Sequence, residues 1–92
     1  MLSAQRGEAA SPELVAWAQH IVGGVDPAID VEVIFEDDSN TFIVRLGKGA
    51  RVLIFRLSAS QVYTDGREAE CERTLQRKIK DLWNLIYTAT HN

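Results

Sequence analysis

The stretch from Val31 to Leu57 constrains the fold more than any other part of the chain. Apolar and polar residues alternate through it, and the alternation is broken twice, by Asp37-Asp38-Ser39-Asn40 and by Gly47-Lys48-Gly49-Ala50. A period of two marks a half-buried strand, and clusters of Asp, Ser, Asn and Gly mark turns. The expected elements are strands over Val31–Glu36, Thr41–Leu46 and Arg51–Leu57, joined as an antiparallel meander.

If both turns are four-residue loops, the register follows. Phe35 then faces Phe42, Val33 faces Val44 and Val31 faces Leu46. Across the second turn Phe42 faces Phe55 and Val44 faces Leu53. One face collects Val31, Val33, Phe35, Phe42, Val44, Leu46, Leu53, Phe55 and Leu57, which is a core face. The other is mixed. Glu32 lies opposite Arg45, Glu36-Thr41-Arg56 forms one row, and an apolar row Ile34-Ile43-Ile54 runs between them, with Val52 beside Arg45. A face that simply met water would not need three isoleucines in line.

Helices flank this meander. Ser11-Pro12-Glu13 has the signature of a helix start, with Ser11 as cap and Pro12 in the first turn. Leu14, Trp17, Ala18 and Ile21 follow at helical spacing, and Gly23 suits a left-handed C-terminal residue. After the meander, Ser58-Ala59-Ser60 and Gln61-Val62-Tyr63-Thr64 suggest a bend and a short continuation strand. A second helix, capped by Asp65, is expected to run to about Ala89, with Cys71, Leu75, Ile79, Leu82 and Ile86 on its apolar stripe and Trp83 and Leu85 beside it. Residues 1–10 are small and polar without periodicity, and read as a flexible arm preceding a single domain over 11–92.

Composition excludes several classes of protein. Apolar runs such as Val52-Leu53-Ile54-Phe55 are far below the roughly 20 residues of a membrane helix. The first residues lack a basic head followed by an apolar core, so no secretory signal is expected. The 92-residue chain has one cysteine, too few for a disulfide framework or the usual zinc site. These features point to a cytoplasmic location. The net charge of −3 hides a gradient: residues 1–40 carry eight acids against Arg6, and residues 41–92 carry nine bases against five acids. Such polarity suits either a charged partner or pairing between the halves within one fold.

Candidates for chemistry are few. His20 and His91 lie far apart with no nucleophile at a recognisable spacing. Cys71 falls on the apolar stripe, as a small core residue does. The acidic run from Glu36 to Asp38 lacks the alternating acids and distant glutamate of a calcium loop, and reads as a hairpin turn. Gly47-Lys48-Gly49 with Arg51 could form a small anion nest, but no phosphate-loop pattern surrounds it. Arg73, Arg77 and Lys80 share the helix face opposite the apolar stripe. The element order is also that of double-stranded-RNA-binding domains, yet Glu68, Glu70 and Glu72 open the helix where a phosphate-binding cluster would be needed.

The expected fold is therefore α+β, in the order α-β-β-β-α: a three-stranded antiparallel meander with a long C-terminal helix packed on one face, in two layers. No cofactor or metal is expected. The expected function is a non-catalytic protein-interaction module, homodimeric or bound to another protein through the outer face or edge of its sheet, with Ile34, Ile43, Ile54, Val52, Arg45 and Glu32 as the interface. Burying three isoleucines would contribute roughly 5–8 kcal/mol before the costs of association. The competing structural reading covers that row with the first helix or the arm. The functional alternative is a nucleic-acid-associated module using Lys48, Arg51, Arg73, Arg77 and Lys80. An enzyme ranks third.

Overall fold

The computed structural model describes the backbone of residues 1–91 and the side chains of residues 1–85. A 3₁₀ turn over Gly7–Ala10 leads into α1 (Ser11–Gly23), followed by β1 (Asp30–Glu36), β2 (Thr41–Lys48) and β3 (Arg51–Ser58). A short α2 (Ala59–Tyr63) and the long α3 (Glu68–His91) complete the order. The strands form one open antiparallel sheet, β1-β2-β3, as the alternating pattern requires. The fold is α+β.

Both long helices lie on the same face of the sheet. Leu14, Ala18 and Val22 of α1 recur every four residues and are buried, as are Cys71, Leu75, Ile79 and Leu82 of α3. They join Val31, Phe42, Val44, Leu46, Phe55 and Leu57 in one core. Phe42 sits at its centre, fully buried, with its ring 4.9 Å from Phe35 and 6.1 Å from Tyr63. Desolvation raises the pKa of the Cys71 thiol, which donates to the Gln61 carbonyl at 3.5 Å. The side chains of Ile86 and His91 lie outside the described residues.

The β1–β2 register is the expected one: Phe35 faces Phe42, Val33 faces Val44 and Val31 faces Leu46. Across β2–β3 it is shifted. Phe42 faces Leu57, Val44 faces Phe55 and Leu46 faces Leu53, because Lys48 pairs with Arg51 and only Gly49-Ala50 remain as the turn. Gly49 has φ +58°, a backbone that a two-residue hairpin requires at its first central position and that glycine adopts without cost. The expected four-residue loop is two residues too long, both at its β2 end, where Gly47 and Lys48 belong to the strand.

Three local expectations also change. Ser11 does not cap α1: the 3₁₀ turn runs straight into the helix, Ser11 is itself helical with φ −56° and ψ −45°, and its hydroxyl is buried without a partner. Gly23 is a helical residue, and the chain leaves α1 through Asp26, whose N–H donates to Val22 and whose carboxylate accepts from Ala28 N–H at 3.0 Å. Gln61-Val62-Tyr63 is helix rather than strand. Ser58 and Gln61 form a reciprocal capping box, Gln61 N–H to Ser58 Oγ at 3.1 Å and Ser58 N–H to Gln61 Oε1 at 2.9 Å, which overrides the β preference of Val62 and Tyr63. Asp65 does not cap α3, since Gly66 with φ +91° turns the chain away and Asp65 accepts from the Met1 amino group instead.

The segment over residues 1–10 lies along the fold. Leu2 N–H donates to the Val62 carbonyl at 2.9 Å, Gly7 N–H donates to Tyr63 Oη at 3.1 Å, and Arg6 stacks over the Tyr63 ring at 4.1 Å. Ser3 and Ala10 are buried.

The two glycines predict opposite outcomes. Gly49→Val places a branched side chain at positive φ and should destabilise the protein by about 1–2 kcal/mol. Gly23→Ala adds a Cβ with nothing within 4 Å on a helical backbone, and should stabilise by about 0.5–1 kcal/mol. Urea unfolding midpoints measure both.

Candidate protein interface

The outer face of the sheet is built by the side chains that the pleat turns away from the helices: Glu32, Ile34 and Glu36 of β1, Thr41, Ile43 and Arg45 of β2, and Val52, Ile54 and Arg56 of β3. Neither α1 nor the segment over residues 1–10 covers it. Ile34 is 59% exposed and Ile54 60%, values that belong to unpartnered side chains rather than to a second core. Val52 is also exposed, and Ile43, on the central strand, is half-buried.

The shifted β2–β3 register rearranges this face. Ile34 still pairs with Ile43, but the next position on β3 is Arg56, and Ile54 pairs with Arg45. The three isoleucines therefore form a bent patch in which Ile54 is diagonal to Ile43, within the reach of side chains on one face. Val52 extends it opposite Gly47 rather than beside Arg45.

Ion pairs border the patch. Arg45 Nη1 meets Glu32 Oε1 at 3.1 Å, and Arg56 Nη1 meets Glu36 Oε1 at 3.2 Å. Glu36 also accepts from Ser39 Oγ at 2.6 Å. That hydroxyl first, and Arg56 second, hold its carboxyl below the usual carboxylate range. The acidic turn is thus tied to its own hairpin. Among the described residues no three His, Cys, Asp or Glu side chains converge as a bound cation would need.

The five basic residues singled out in the sequence do not share one environment. Lys48 reaches across to Asp26 at 2.5 Å and lies 4.0 Å over the Trp83 ring. The Lys48 hydrogen bond, with help from Ala28 N–H, holds the Asp26 carboxyl below its ordinary value. Arg51 is exposed at the end of the hairpin, paired with Lys48 across the strands. Arg73, Arg77 and Lys80 instead line an open cleft of about 810 Å³ between α3 and the end of α1, together with Val25, Ile79 and Trp83. Asp26-Pro27 has the composition of a turn, but neither Val25 nor Asp26 is marked as a site residue by the sequence, because both lie between periodic segments where no pattern assigns a face. His20 is exposed on α1.

Compared with protein-family models, curated proteins and solved structures, the chain matches none.

The Asp26–Lys48 bond joins the α1–β1 connection to the β2 turn and predicts a pH dependence. A carboxyl with a depressed native pKa stabilises the fold fully above its unfolded pKa, near 3.9. That contribution is lost as pH falls through the lower native value. Asp26→Asn should therefore lower the Tm at pH 7, and the difference from wild type should shrink as the pH falls below about 4. Thermal melts across that range measure it.

Proposed function

We propose that the protein is a non-catalytic interaction module that self-associates through the outer face of its sheet. The observation that carries this reading is the exposure of Ile34 and Ile54 on a strand surface that no helix among the described residues covers. Contiguous exposed apolar surface bordered by charge is the arrangement of an interaction site, and isolated exposed side chains are not. Glu32–Arg45 and Glu36–Arg56 present both signs of charge beside the patch, so two copies related by a two-fold axis can match acid to base at the rim. Pairing through a strand edge would leave the isoleucines in water, so the patch favours the face.

Size sets the strength. Strands of seven or eight residues, three abreast, give a face of roughly 25 Å by 14 Å. That is smaller than the usual contribution of about 800 Å² from each partner of a stable complex. A weak, reversible dimer in the micromolar range is the expected form.

A cytoplasmic setting belongs to the same reading. Its supports are a buried free Cys71 and helices none of which, among the described residues, is long and apolar enough to cross a membrane.

Light scattering up to several hundred micromolar, on wild type and on Ile54→Glu, tests the proposal. Ile54 is exposed, so the variant should keep its fold and its Tm. The expected result is a concentration-dependent rise in mass for wild type that Ile54→Glu abolishes. A wild type that stays monomeric across the series, or a variant that associates equally well, overturns it.

A further inference from the structure

On the opposite side of the molecule from the isoleucine patch, α3 carries a second unpartnered surface. Arg73, Arg77 and Lys80 follow one another at steps of four and three residues, so they form a straight row along one side of the helix. Their rises along the axis are about 6 Å and about 4.5 Å. Among the described residues none of the three makes an ion pair, whereas Arg67 and Lys78 on the same helix do. Beside the row lies the cleft they line, whose floor is apolar: Val25 from the end of α1, and Ile79 and Trp83 from α3. Val25 is 57% exposed and Trp83 47%, so this floor is open to a ligand.

We propose that this cleft is a docking groove for an acidic amphipathic helix of a partner protein. The row of cations at i, i+4 and i+7 matches in pitch a row of carboxylates at the same spacing on a second helix packed alongside. The apolar floor beside the row takes that helix's apolar side, the helix-in-groove mode of recognition. The cleft runs along α3 from Arg73 to Trp83, a rise of about 15 Å and the length of nearly three helical turns.

The surroundings disfavour a nucleic acid at the same place. Lys48 already occupies a face of the Trp83 ring, where a base would stack. Toward the start of α3 the row gives way to Glu72, to Glu70 paired with Arg67 and to Glu68 paired with the Met1 amino group, so no unpaired cation continues the track for a chain of phosphates. A helix with carboxylates over three turns needs no further track.

Fluorescence anisotropy with the full chain tests the inference. The probes are a fluorescein-labelled helical peptide with glutamates on one side and leucines on the other, the same peptide with glutamines for glutamates, and labelled oligothymidylate. Saturable binding of the glutamate peptide is expected, weakened about tenfold or more by the glutamine exchange and by Arg77→Glu with Lys80→Glu. A peptide with lysines for glutamates should bind that double variant better than it binds wild type, which a merely unfolded variant would not do. Trp83→Ala should weaken binding without changing its salt dependence. Absence of glutamate-peptide binding, equal binding of the glutamine peptide, or tighter binding of oligothymidylate overturns the proposal.

Discussion

The buried side of β2 holds the structure together. Phe42, Val44 and Leu46 alternate along the central strand, are all but inaccessible to water, and meet both neighbouring strands and the helices. Sheet geometry then determines what else can pack there. Three strands about 4.8 Å apart make a layer that two helices spaced by 8–10 Å can cover. α1 lies over β1, and α3 lies over β2 and β3, so one face receives both apolar helix stripes. Nothing of comparable apolar content among the described residues is left for the other face, and its isoleucines stay in contact with solvent.

Charge follows the same logic. The acidic first part of the chain and the basic second part meet in three ion pairs, Asp26–Lys48, Glu32–Arg45 and Glu36–Arg56. Two of them flank the isoleucines and one ties the α1–β1 connection to the hairpin beyond it. The two exposed pairs, Glu32–Arg45 and Glu36–Arg56, contribute little each to stability, about 0–1 kcal/mol. Their larger effect is on what the surface can bind: the outer sheet face becomes locally neutral around an apolar centre, while Arg73, Arg77 and Lys80 keep their charge on α3.

The periodic elements could be read from the residues because their patterns are strong and independent of distant contacts. The alternation of Val31, Val33 and Phe35 against Phe42, Val44 and Leu46 determines both strands and their register. The four-step spacing from Cys71 to Ile79 does the same for α3. Legibility fails where one residue's backbone geometry decides. Gly49 at positive φ permits a shorter turn than the run of small residues suggests, and that moves every β2–β3 pair, replacing Ile54 by Arg56 opposite Ile43. Ser58 and Gln61 did carry a capping-box signature, but the β-branched and aromatic residues after it pointed toward a strand. The cleft beside α3 was half legible. Its cations stand out by spacing, whereas Val25 and the reach of Lys48 to Asp26 depend on how distant segments meet.

The central claim is that the outer sheet face is free within one chain and occupied by a second copy. An isotope-filtered NOESY spectrum on a concentrated, half-labelled sample measures this directly at the methyl groups of Ile34, Ile43 and Ile54. Cross-peaks between labelled and unlabelled chains at these methyls are the predicted result. Absence of such cross-peaks, with these methyls giving contacts only within their own chain in an unfiltered spectrum, would contradict it.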